Sequence, residues 1–189
     1  MRITTSGIKL HLAPLRRWVL AAFTLACVGG LGLRAQGRPE LLRAGVQAPD
    51  FGADAYGGGT LRLSDQQGKI VVLDFWATWC PPCQKSMPHL ESVARAVAGQ
   101  NVAVLGLCVW DDRAKYDAWM QQRKGSFSFK FAFDPAGRSA ANLAAKFNIT
   151  SIPTTYIIDA KGRVADTIVG YDTGDTRLEA ALRKLGVKI

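Results

Sequence analysis

The apolar run Ile70-Val71-Val72-Leu73-Asp74-Phe75-Trp76 leads, two residues later, into Trp79-Cys80-Pro81-Pro82-Cys83. The run is β-branched or apolar at nearly every position, which predicts a central strand covered on both faces. From Pro82 to Ala98, Met87, Leu90, Val93, Ala94 and Val97 recur on one helical face. Pro88 is expected to kink this helix, because it removes one amide and crowds the preceding turn. Cysteines at i and i+3 on the first turn of a helix lie close enough to alternate between dithiol and disulfide. Cys80 would also face the unpaired amides and positive pole of that turn, which favour thiolate, the attacking form. Pro81 and Pro82 have no N–H, so the Cys83 amide is the expected local donor to Cys80. With so few donors, the expected thiol pKa is only moderately lowered and the couple is reducing. A zinc site would need four ligands, and the rest of the chain offers only scattered Cys27, Cys108, His11 and His89. No metal and no cofactor is expected.

The remaining sequence predicts one α/β domain. Asp54–Tyr56 and Thr60–Leu63 flank Gly57-Gly58-Gly59 as an amino-terminal hairpin, and Ser64 or Asp65 caps a helical turn. Asn101–Val109 reads as a second buried strand, with Cys108 a small buried apolar residue within it. Lys115–Arg123 reads as a helix. Phe127, Phe129, Phe131 and Phe133 alternate as a half-buried strand. Ser139 is expected to cap a helix reaching Phe147. Thr154–Ile158 and Arg163–Gly170 form two strands around the turn 159–162, and Asp175–Lys184 closes with a helix whose basic end suits the dipole. The order β-α-β-α-(β)-α-β-β-α implies a mixed sheet with helices on both faces and a central insertion. His89 is expected to be solvated, and Asp111, Asp112 and Asp134 to be strand-end and turn residues.

The net charge of +9 hints at nucleic acid until it is divided by region. Residues 1–35 hold five of the 24 basic residues and no acid, leaving 19 bases against 15 acids elsewhere. That mild, scattered excess argues against nucleic-acid binding. Arg16-Arg17 followed by uncharged Trp18–Leu33 reads as a secretory signal, with Leu33-Arg34-Ala35 as cleavage site. The other main reading is an uncleaved membrane anchor, and a lipoprotein site at Cys27 or a twin-arginine route fits less well. Expected boundaries are 1–35 for signal or anchor, 36–47 for a linker and 48–189 for the domain. Both leading readings place the domain outside the cytoplasmic membrane, in the periplasm or an equivalent space, where disulfide chemistry is normal.

Trp79-Cys80-Pro81-Pro82-Cys83 after Asp74-Phe75-Trp76, with Ile152-Pro153-Thr154 some seventy residues on, resembles the thioredoxin superfamily. Ala48-Pro49-Asp50-Phe51, the hairpin and the insertion holding Trp110–Phe133 resemble its TlpA/ResA-type branch of exported thiol–disulfide oxidoreductases, whose sequences overlap the redoxin and AhpC/TSA profile. The match covers roughly residues 45–185. The resemblance implies a thioredoxin-like fold and a reversible Cys80–Cys83 disulfide, with disulfide-bearing client proteins as substrates. It also implies re-reduction by a membrane thiol donor of the DsbD or CcdA kind. Cys80 would be the nucleophile, Cys83 the resolving thiol and Asp74 the buried proton acceptor, with Pro82 setting the sulfur spacing. A cis Ile152-Pro153 bond would face the disulfide, with Ile152 backbone groups pairing with an extended client. Trp79 would contact clients and Trp76 would be core. Ser86 stands where the cytochrome-c-maturation branch often has an acid, which weakens a link to apocytochrome reduction. Two alternatives remain. A thiol peroxidase of the redoxin type would need a Thr and a Pro upstream, where Ala77 and Leu73 stand. A copper-handling or scaffold protein on this fold would use a wider cysteine spacing with a distant His.

Overall fold

The computed structural model describes residues 40–189, so the expected signal or anchor at 1–35 lies outside the described residues. Strand β3, Ile70–Trp76, lies in the interior of the sheet. It pairs in parallel with β4 (Val102–Cys108) from Ile70↔Val102 to Trp76↔Cys108, and antiparallel with β6 (Thr154–Ile158). The full sheet also contains β1 (Gly52–Ala55), β2 (Thr60–Arg62), β5 (Lys130–Phe133) and β7 (Val164–Val169), in the order β2-β1-β5-β4-β3-β6-β7. Four helices flank it: α1 (Pro81–Ala96), α2 (Arg113–Gln122), α3 (Leu143–Lys146) and α4 (Arg177–Lys184). This is the mixed sheet that the element order implied, in the thioredoxin-like form that the resemblance implied.

Side chains of β3 alternate between two apolar clusters. Val72 and Trp76 join Met87, Leu90 and Leu182 from α1 and α4, while Val71, Leu73 and Phe75 join Phe147 and Tyr156 on the other face. By the period-2 rule Asp74 shares the face of Val72 and Trp76, so a carboxyl is turned into the α1–α4 layer. The helix α1 continues through Pro88 without a break.

Two expectations need correction. Only Phe131 and Phe133 of the alternating phenylalanines lie in a strand, and that strand is buried on both faces. Ala132 between them belongs to the opposite cluster, so the alternation marked side-chain size and not solvent. The helix expected from Ser139 begins only at Leu143. Asn142 Oδ1 accepts from the Ala145 amide at 2.7 Å and Asp134 Oδ2 from the Leu143 amide at 2.7 Å, which fixes the start there. Residues 40–47 lie on the domain: the Gly45 amide donates to Val164 O and the Val164 amide to Val46 O. Among the described residues no helix is long and apolar enough to cross a membrane.

Gly106, midway along β4, admits the Phe131 ring where a Cβ would stand 2.8 Å and 2.9 Å from two of its carbons. A Gly106→Ala chain is therefore expected to lose about 1–3 kcal/mol of stability through overpacking. Its urea midpoint against the unsubstituted chain measures this.

Candidate active site

Cys80 is the residue at which β3 hands over to α1. Its backbone is extended (φ −97°, ψ 101°) and it caps the helix, with Pro81 and Pro82 filling the first turn. Proline suits that position because its amide would be unpaired there anyway. The Cys83 amide donates to Cys80 Sγ at 3.2 Å, the donor left once both prolines are discounted. The two sulfurs are bonded, with Cα atoms 5.3 Å apart, inside the ordinary disulfide range. Cys83 is sealed, whereas Cys80 keeps a 3% exposed margin between exposed Trp79, Pro81 and Pro82.

The loop before Cys80 is held from the side. The Thr78 amide donates to Asp111 Oδ2 at 2.6 Å, Gln84 Nε2 donates to Thr78 O at 2.6 Å, and Trp79 Nε1 donates to Trp110 O at 3.1 Å. Trp79, 49% exposed, is thus a fixed indole plate with the Arg138 guanidinium 5.5 Å from its ring centre. Trp110 adopts φ 56°, the left-handed region that a bulky residue rarely enters. On the opposite side the Ile152-Pro153 peptide is cis. Ile152 O lies 3.8 Å from Cys80 Sγ and Ile152 is partly exposed. Trp76 is fully buried. Cys108 is buried, and its thiol points to Asp111 Oδ2 at 3.5 Å. Burial first, then the Asp111 charge, pushes that thiol far up, so it stays protonated and inert.

Asp74 is buried beneath this surface. Burial pushes its carboxyl up to about 7, only partly opposed by the Thr155 hydroxyl, which donates to Oδ1 at 2.7 Å. Its Oδ2 is buried and has no partner among the described residues. Ser86 Oγ donates to Cys83 O at 2.8 Å, tying the hydroxyl to the helix and not to a sulfur. A cavity of about 30 Å³ is lined by Asp74, Ser86, His89, Pro153, Thr155 and Tyr171, among others. His89 is not simply solvated as expected: Nε2 lies 2.7 Å from Glu179 Oε1, joining α1 to α4.

The structure gathers exposed Trp79, Pro81 and Pro82 and half-buried Ile152 around Cys80, with Cys83, Pro153 and Asp74 buried. Sequence reasoning missed Trp110, Asp111, Arg138 and Glu179 as neighbours. The one signal available was the Asp111-Asp112 pair at the end of β4. Asp112 caps α2, accepting from the Ala114 and Lys115 amides, which leaves Asp111 to hold the loop.

Residues 44–167 match the AhpC/TSA family. The chain is 31% identical over 163 residues to the thioredoxin-like protein YneN of Bacillus subtilis, covering 84% of this chain and 93% of that protein. It is 29% identical over 146 residues to the thiol-disulfide oxidoreductase ResA of Bacillus anthracis, covering 77% and 80% respectively. Among solved structures it is similar to the exposed lipoprotein thioredoxin of Streptococcus pneumoniae, at TM-score 0.61 and 29% identity, covering 71% of this chain and 99% of that one.

Proposed function

We propose a reaction path and a setting for this chain, which belongs to the AhpC/TSA family and is a protein thiol–disulfide oxidoreductase. It acts as a reductase. The Cys80 thiolate attacks one sulfur of a client disulfide, forming a mixed disulfide and releasing the first client thiolate. Asp74 takes the proton from the Cys83 thiol. The Cys83 thiolate then attacks Cys80 Sγ, closing the Cys80–Cys83 bond and expelling the second client sulfur as thiolate. Two electrons have passed to the client, and a membrane dithiol donor of the DsbD or CcdA kind returns them. Ile152 and Trp79 contact the client on either side of the sulfur.

The observation that carries this reading is the bonded Cys80–Cys83 pair at the first turn of α1, with the Cys83 amide on Cys80 Sγ. Asp74, raised to about 7, is matched to proton transfer near neutral pH. The setting outside the cytoplasmic membrane rests on residues 1–35 as a sequence, and on similarity to a protein described as an exposed lipoprotein.

The test is a Cys83→Ala chain expressed in cells. It lacks the resolving sulfur, so clients and donor are expected to accumulate on Cys80 as adducts that dithiothreitol releases. Absence of any adduct, with Cys80 shown reactive to alkylation, would remove the reductase reading. Peroxide consumption by the intact chain is expected at background.

A further inference from the structure

A proton given to Asp74 must also leave it, and Asp74 is only 2% exposed. Its one protein partner among the described residues, Thr155, donates to Oδ1. Its free Oδ2 is buried, and the carboxyl borders the 30 Å³ cavity between β3, α1 and the 170–178 segment. That volume holds about one water, and the polar wall supplies the two to four partners a water needs. His89 lines the same cavity, with its side chain 20% exposed. Glu179 holds Nε2, Tyr171 lies against the ring at 5.6 Å, and Nδ1 has no protein partner among the described residues. Glu179 Oε2 is itself buried, likewise without a partner among the described residues. An imidazole can accept a proton on one nitrogen and give one up from the other.

The titratable groups around the cavity are Asp74 from β3, His89 from α1, Glu179 from α4 through His89, and Tyr171 and Asp175 from the loop between β7 and α4. Asp175 is held by Arg177 at 2.6 Å, which keeps its carboxyl below the usual range. That leaves it a poor proton acceptor. The sheet strands β6 and β7 contribute Thr155 and Ile168, which carry no charge.

We infer that His89, oriented by Glu179, passes the proton between Asp74 and bulk solvent through the water-sized cavity they share. This rests on the reading of Asp74 as proton acceptor given above. His89 acts through Asp74 and touches neither sulfur. In the resolving step Cys83 Sγ–H gives its proton to Asp74, and the new thiolate displaces the client sulfur from Cys80. Asp74 can take that proton only as a carboxylate, so before resolution the proton it holds leaves by way of the cavity to His89 and out. No electron passes through the imidazole. The competing role for the His89–Glu179 pair is a clamp between α1 and α4, which would affect stability alone.

The experiment mixes reduced protein with the small aromatic disulfide 5,5′-dithiobis(2-nitrobenzoate) and follows the two thiolate releases separately. The first release reports Cys80 attack and the second reports resolution by Cys83. His89→Gln keeps a hydrogen-bonding side chain of similar reach but cannot relay a proton. It is expected to leave the first phase unchanged and slow the second about tenfold. Added imidazole is expected to restore most of that loss, a rescue that a clamp would not show. An unchanged second phase, or a slowing that imidazole does not relieve, would overturn the inference. Should His89→Gln fail to fold, Glu179→Gln is read the same way, with slowing of about threefold and the same rescue expected. Asp74→Asn is run alongside. A second phase indifferent to that change would show that the Asp74 reading itself had failed, while the first phase still reported exchange at Cys80.

Discussion

A Cys80→Ser chain is expected to fold and to lose disulfide reduction by on the order of a thousandfold. The two halves of that expectation have separate causes. Sulfur 80 is the only one of the bonded pair with any solvent contact, since Cys83 is fully buried. A hydroxyl at position 80 can neither form a mixed disulfide nor reach the thiolate state, so the remaining reaction is the background of a sealed Cys83. Folding is spared because Ser is among the best helix-capping residues, and its Oγ can accept the Cys83 amide now bonded to Sγ. Losing the bridge itself costs about 2 kcal/mol, because it closes a loop of only four residues. Adding Cys83→Ser to Cys80→Ser should remove only that small background, far less than a second thousandfold, since residues acting as one unit are not additive. Insulin reduction by dithiothreitol-recycled protein, beside a thermal unfolding curve, measures both halves. Substantial activity retained in a folded Cys80→Ser chain would mean that the chemistry lies elsewhere.

The parts of this site that could be read from sequence are those whose cause is local. The β3 run, the Cys80–Cys83 spacing and the lack of amides at Pro81 and Pro82 are all neighbours in the chain. Ile152 and Pro153 are distant, and they were placed by family resemblance and not by pattern. What escaped was supplied by the long connections. Asp111 reaches back 33 residues to the Thr78 amide, and Trp110 reaches 31 to the Trp79 indole. His89 and Glu179, 90 residues apart, meet only because α1 and α4 pack on the same face of the sheet. The phenylalanines of 127–133 show the other failure. Period-2 spacing reports which side a residue faces, but not whether that side is wet, and β5 lies inside a sheet covered on both faces.

Asp74→Asn is expected to make the protein more stable above neutrality while slowing resolution by roughly a hundredfold. The stability half follows from where the proton sits. The folded carboxyl is raised from 3.8 to about 7, so between those pH values the unfolded chain gives up the proton and the folded one keeps it. Below pH 3.8 both states are protonated and Asp74 costs nothing. Stability then falls as pH rises, and above about 7 the folded state carries the full cost of a buried carboxylate. The displacement corresponds to at most ~4 kcal/mol, and water entering the adjacent cavity would reduce it. Asparagine removes the charge and keeps the contact, since its Oδ1 can still accept the Thr155 hydroxyl. Its amide cannot take a proton from Cys83, so the gain in stability accompanies a loss of function, the relation expected where a strained group serves a reaction. Urea midpoints at pH 4 and pH 8 separate the cases. The two chains should coincide at pH 4 and diverge at pH 8, with the variant higher. If both lose stability in parallel between those pH values, the buried carboxylate is not the cause and Asp74 is not the group that holds the proton.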